Sequence, residues 1–265
     1  MRLTPRTYGA IIVSLVALGC STVPVTGRRQ LTLIPESQMI AMAEREYTAF
    51  MRSHRRGGNP SDVYMVRSVG LRLKAAVEKY FAEKNLPSPA SGYNWEFNLV
   101  ESNEVNAWAM PGGKVVFYTG ILPLTRTEAG IAVVMGHEIA HIIARHGNER
   151  VSQSLLVQMG GIALSEAMKK KPEETRKIWL AAFGLGAQVG ILLPYSRVHE
   201  KEADRLGMIF MAMAGYDPNE AVAFWERMAE KSGHIPEFLS THPSDQTRIR
   251  LLKEALPEAL TYYRK

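Results

Sequence analysis

The chain has 265 residues, 46% of them hydrophobic, and a formal net charge of +6, which gives one domain enough apolar material for a sizeable core. Lys and Arg are spread along it, with short clusters only at Arg28-Arg29, Arg55-Arg56 and Lys169-Lys170-Lys171; no nucleic-acid motif accompanies them, so no nucleic-acid partner is expected. Cys20 is the only cysteine, which rules out an intrachain disulfide.

At the start, Arg2 and Arg6 precede an apolar stretch from Ala10 to Leu18 that is too short to span a bilayer. Ala17-Leu18-Gly19-Cys20 follows as a small-residue cleavage site, so residues 1–19 are expected to be an export signal outside the fold. The segment resembles a bacterial lipoprotein signal, in which Cys20 would become the acylated first residue. It departs from that pattern at the third position before the cysteine, where Ala17 stands in place of the preferred Leu. Ser21 fits outer-membrane sorting on the same resemblance. Ser21 to Arg29 is rich in Pro, Gly and Thr and reads as a tether, so residues 20–34 are expected to be anchor and tether, and 35–265 the folded domain.

A helical pattern opens at Pro35-Glu36 and runs to about His54, where Gly57-Gly58-Asn59-Pro60 breaks it. Ser61-Asp62 caps a second helix with Val66, Val69, Leu73, Ala76, Val77 and Tyr80 on its apolar face. Tyr93 to Val100 alternates as a half-buried strand, and Asn106 to Gly113 is a turn-rich approach to a second strand, Lys114 to Thr119. That second strand is either an ordinary interior strand or one that lies beside a cleft and pairs with an extended substrate. A buried helix follows from Glu128, with Thr127 as N-cap and Gly147 as stop. Another runs on to about Met168. The run from Ile178 to Leu193 has 16 residues and no charge; it falls short of the roughly 20 needed to span a bilayer and is expected to be a buried or cleft-covering helix. Helices over 196–214, from Asp217-Pro218 to about Ser232, and from Ser244 to Leu260 complete an α+β chain, mostly helical with one small sheet.

Chemistry concentrates in the helix from Glu128. His137 and His141 stand one turn apart on one face, so both imidazoles reach a single cation, and Glu138 lies about 100° round, where a carboxylate can touch water beside the metal without ligating it. This is the H-E-x-x-H arrangement of metalloproteases. The alternative is a pair of core histidines satisfied by carbonyls, but burying two His and a Glu without a use costs desolvation.

A third donor must come from elsewhere. Metzincins place a His six residues after the second, with Gly midway; those positions here are Gly147 and Ala144, which excludes that class. His146 points off the ligand face. Glu200 and Asp204 are four apart on a later helix, with small Ala203 leaving room for the metal helix. Glu200 is preferred as third ligand, with Asp204 fixing a histidine's tautomer, whereas Glu202 points about 200° away and reads as a surface charge. His54, His199 and His234 receive no role, and Arg197 reads as one side of a structural ion pair.

Pro24 to Gln30, Asn106 to Gly113, His137-Glu-Ile-Ala-His141, Ser196-Arg197 with Glu200 to Asp204, and Thr241-His242-Pro243 together resemble peptidase family M48, in its bacterial periplasmic lipoprotein branch. The resemblance implies a zincin-like, gluzincin domain with its small sheet beside the H-E-x-x-H helix. It implies one zinc per chain on His137, His141 and Glu200, Glu138 as general base and Asp204 behind the ligands. His242 is implied as a fourth ligand or regulatory cap. The expected activity is endoproteolysis of unfolded or misassembled envelope proteins, from a lipid anchor in the periplasm. The competing reading is an outer-membrane assembly chaperone with little turnover, motivated by the apolar run and by a capping His242. Tyr195, Arg197 and His242 are candidates for an oxyanion donor.

Overall fold

A computed structural model of the chain describes residues 19–188, 193–230 and 246–263. These fall into two compact units, one of residues 1–39 and 145–199 and the other of 40–144 and 200–265. Helices dominate both. Among the described residues, no helix is long and apolar enough to cross a membrane.

The first unit opens with a short antiparallel hairpin, β1 (Cys20–Thr22) and β2 (Arg29–Leu31), in which Cys20 pairs with Leu31. The stretch read as a tether is therefore folded backbone. Its strands are only three residues each and carry no strong alternation, so composition alone concealed them. Arg28 donates to both carboxylate oxygens of buried Glu149, at 3.1 and 2.8 Å. Asn148 donates to the Ile34 carbonyl at 2.7 Å and Ser152 Oγ accepts from Leu33 N–H at 2.8 Å. These bonds fasten the hairpin to the first turns of α5, the helix His146–Ala167, which with α6 (Glu173–Ala187) forms a helical pair.

In the second unit, α1 (Glu36–Ser53) leads to α2 (Pro60–Glu83), where Asn59 takes the cap by accepting from Ser61 N–H at 3.1 Å. Strands β3 (Glu96–Val100), β4 (Ala107–Met110) and β5 (Lys114–Tyr118) form one sheet in the order β3-β5-β4, parallel on the first side and antiparallel on the second. Strand β4 was read as a turn-rich approach. The turn is confined to Pro111-Gly112-Gly113, where both glycines have φ near 87°, and it reverses the chain so that Met110 pairs with Lys114. β5 thus has a neighbour on each edge and is an interior strand; the substrate-pairing option for it is excluded, and β4 forms an outer edge.

After the one-turn α3 (Leu122–Thr125), Thr127 caps α4 (Glu128–Ile143) by accepting from Gly130 N–H at 3.1 Å. Every residue of α4 from Gly130 to Ile143 is buried, which fits a helix apolar on all sides, and α4 packs on α2, on β4 and on α8 (Asn219–Glu230). The expected stop at Gly147 comes earlier, at Arg145 with φ 56°; Gly147 lies inside α5. Helix α7 (Leu193–Met213), which belongs to this unit from Glu200 onward, and helix α9 (Gln246–Tyr262) complete the unit.

One packing detail governs the rest. A Cβ on Gly207 of α7 would fall 2.8 Å from the backbone nitrogen of His137, and one on Gly136 would fall 2.9 Å from the Gly207 carbonyl oxygen. The two helix backbones touch there because neither residue has a side chain. Gly207→Ala is expected to force them apart, costing about 1–3 kcal/mol of stability and lowering zinc content. Gly184→Ala is the control, since a Cβ there meets nothing within 4 Å. Thermal melts with metal analysis of both variants check this, and equal behaviour would contradict it.

Candidate metal centre

Helix α4 presents His137, Glu138 and His141, all buried. The Nε2 atoms of the two histidines lie 3.0 Å apart. From α7, Glu200 brings Oε2 to 3.3 Å from His137 Nε2 and Oε1 to 3.3 Å from His141 Nε2. Donors bound at about 2.0–2.1 Å round a tetrahedral centre stand roughly 3.3 Å from one another, and the two imidazole nitrogens and the Glu200 carboxylate, one oxygen toward each ring, lie near that spacing. Two nitrogens and one carboxylate oxygen are also the donor types zinc takes. Among the described residues, His137, His141 and Glu200 are the group of this kind.

Asp204, one turn after Glu200, lies 2.8 Å from His137 Nδ1 through Oδ1. With the proton on Nδ1, His137 turns the lone pair of Nε2 toward the cluster. Asp204 is held in turn by Arg248 of α9, whose Nε donates to Oδ2 at 2.8 Å and whose Nη2 donates to Oδ1 at 2.6 Å. The Arg248 guanidinium sits 3.4 Å from the centroid of the Trp225 ring, and Nη1 is 3.5 Å from Glu200 Oε2. Arg248 was not singled out in the sequence. A signal was present, because it precedes Leu252 by one turn and so places a charge within the apolar stripe of α9.

The charges explain one another. Burial opposes ionisation of Glu200, but the imidazoles of His141 and His137 outweigh it and hold the carboxyl far below the usual carboxylate range. Burial likewise works against the Asp204 carboxylate, and Arg248 followed by His137 pulls its pKa down. For His137 burial favours the neutral ring, yet Glu200 and then Asp204 prevail and raise its pKa to about 9. The cluster therefore demands a positive charge, and without a metal ion a proton on His137 meets that demand.

Other expectations resolve around this group. Glu202 is buried, not a surface charge, and it is not in the donor group. His146 stacks on His199 with centroids 4.3 Å apart, and His199 Nε2 lies 2.9 Å from Glu149 Oε2, so both belong to the buried network of the first unit. His54 stacks on Phe50, and Arg197 is exposed. His234, His242 and the Tyr195 side chain lie outside the described residues.

Two histidines one turn apart on a buried helix, a glutamate from a second helix and a helical domain with a small sheet beside the first helix form the arrangement of gluzincin-type metallopeptidases. Residues 69–256 match the model of peptidase family M48, and the chain belongs to that family. It is 33% identical over 240 residues to the mitochondrial metalloendopeptidase OMA1 of Schizosaccharomyces pombe, covering 89% of this chain and 66% of that one. Bovine mitochondrial OMA1 is 32% identical over 265 residues, covering 96% of this chain and 49% of the relative. The beta-barrel assembly-enhancing protease of Yersinia pestis is 30% identical over 161 residues, or 58% of this chain and 33% of the relative. The chain thus spans at most about two thirds of the length of these relatives.

One zinc per chain is expected by metal analysis, lost in large part from Glu200→Ala and retained by Glu202→Gln. Affinity should also depend on pH. Below about 9 the His137 proton must leave before zinc binds, so affinity rises about tenfold per pH unit up to that value and levels off above it. Chelator competition between pH 6 and 10 tests the sign; affinity that is flat or falls over pH 6–9 would contradict it.

Proposed function

We propose that the chain is a zinc-dependent endopeptidase of the bacterial cell envelope, active in protein quality control or outer-membrane protein assembly. The observation that carries the enzymatic part is the convergence of His137 Nε2, His141 Nε2 and a Glu200 oxygen pair at about tetrahedral spacing, with Glu138 next to His137 on the same buried helix. Zinc held by these residues supplies Lewis acidity, which polarises a scissile carbonyl and acidifies water. In this reading Glu138 takes the proton from the attacking water and passes it to the leaving amine. Asp204 keeps His137 in the ligating tautomer, and Arg248 keeps Asp204 ionised. His242 enters as a capping fourth donor on the family resemblance alone. Protein substrates are supported by the names of relatives, which are metalloendopeptidases and assembly-enhancing proteases. Unfolded or misassembled envelope proteins are the substrates this reading assigns.

We place the export signal at 1–19, the acylated residue at Cys20 and the peptidase domain at 35–265, with the intervening hairpin as its lead-in. Relatives include mitochondrial and bacterial proteins; the charged start, the short apolar run from Ala10 to Leu18 and the cysteine behind it support the bacterial periplasm and an outer-membrane anchor. Cys20 is exposed.

Glu138→Gln should keep zinc and fold and lose proteolysis of an unfolded protein by about 10²–10⁴-fold, because a neutral amide accepts no proton. Near wild-type cleavage by this variant would remove Glu138 from the mechanism, whereas absence of cleavage by the wild type itself would favour the chaperone reading. For the anchor, mass spectrometry of the mature protein should find Cys20 as the first residue with its acyl chains. Retention of Met1 or an unmodified Cys20 would contradict that assignment.

A further inference from the structure

The run from Ile178 is expected to be a buried or cleft-covering helix, and its apolar side chains over 178–185 are largely exposed instead. Ile178 is 68% exposed, Trp179 57% and Leu185 69%. Helix α6 packs on α5 through its other side, where the Phe183 ring lies so close to Gly160 that a Cβ there would come within 2.8 Å of it. Ile178 and Leu185 are seven residues apart and share the outward face, with Trp179 flanking them. On α5, Leu155 and Ile162 repeat the same spacing at 38% and 52% exposure. Five of the twelve large apolar side chains exposed among the described residues thus lie on this one helical pair, far more than scatter would place there.

Charge is distributed with equal order. Between Leu155 and Ala187 every charged residue falls within 166–177, at the connection between the helices. Five are basic, Lys169, Lys170, Lys171, Arg176 and Lys177, and three are acidic, Glu166, Glu173 and Glu174, a balance of 5 − 3 = +2. Lys169 pairs with Glu166 and Lys177 with Glu173. Lys170 and Lys171 are exposed.

We propose that the α5–α6 pair is a docking surface for an anionic lipid bilayer, with Ile162, Ile178, Trp179 and Leu185 entering the headgroup boundary and the 169–177 segment meeting acidic headgroups. Trp beside aliphatic residues and lysines is the composition of an interfacial helix. A second copy of the chain is the poorer occupant: it would set one positive segment near another, and protein interfaces are depleted in Lys at their cores. The surface belongs to the unit that contains none of the donors His137, His141 and Glu200, so the inference does not depend on the reading of the metal centre.

The test uses the chain from residue 20 with Cys20→Ser, so that no acyl group contributes. It should sediment with vesicles containing phosphatidylglycerol, and more weakly with phosphatidylcholine alone, and its Trp emission should shift to the blue on binding. The triple variant Ile178→Ser, Trp179→Ser, Leu185→Ser should bind at least tenfold more weakly with an unchanged thermal midpoint. Lys169→Ser, Lys170→Ser, Lys171→Ser should lose the preference for the anionic vesicles. Absence of binding by the parent chain, or undiminished binding by the triple apolar variant, would overturn the proposal. So would a concentration-dependent dimer that the apolar variant abolishes while vesicles have no effect, since that assigns the face to a second copy.

Discussion

The approach of α4 to α7 at Gly136 and Gly207 is the constraint on which the centre depends. Three donors from two helices must meet within about 3.3 Å, and side-chain length supplies only part of that reach. A helix carrying two ligating histidines cannot admit a glutamate from its neighbour unless the axes come closer than ordinary side chains permit. Backbone contact between Gly207 and His137 achieves this directly beside the donors. Buried Ala203, one residue before Asp204, keeps the same face of α7 narrow.

Bringing those donors together creates an electrostatic problem that the surroundings solve in layers. Two carboxylates, Glu200 and Asp204, sit in a buried region where an isolated ion would be costly. Arg248 neutralises Asp204 through a two-pronged contact and lays its guanidinium on Trp225, which removes the cation from water without leaving it unpaired. Asp204 then fixes the proton on His137, and the remaining negative charge of Glu200 is left for a cation. Each group is ionised or neutral because of the next one outward, so the order runs from Trp225 through Arg248 and Asp204 to His137.

The sheet and the N-terminal hairpin show a different economy. β5 is buried along its whole length and held on both edges, and its Lys114 is fixed by Glu96 at 2.7 Å and the Asn94 carbonyl at 2.9 Å. It is scaffold, and it leaves β4 as an outer edge that packs on the metal helix. In the other unit the hairpin is bound to α5 through Arg28 and Glu149. Burial raises the Glu149 pKa, while the hydrogen bonds from His199 and Arg28 bring it below its ordinary value. A chain segment that composition presents as a flexible lead is thereby fixed by a buried carboxylate together with Asn148 and Ser152.

The features determined by the sequence alone are those whose physics is local. Periodicity and the Thr127 cap specify α4, and four-residue spacings put His137 with His141 and Glu200 with Asp204 on shared faces, because helix geometry is the same wherever the helix lies. The split between Glu200 and Glu202 was legible for the same reason, although the burial of Glu202 was not. Tertiary structure alone decided the features that need a partner distant in the chain. Arg248 is 44 residues beyond Asp204, and its place in the apolar stripe of α9 marks it as buried without naming the carboxylate it completes. β4 became a strand because β5 lay beside it, and Gly207 matters only because Gly136 faces it. The run from Ile178 turned outward because α5 could cover only one side of it. Hydrophobicity states that such a run prefers to leave water; only the packed fold decides which of its faces has a neighbour.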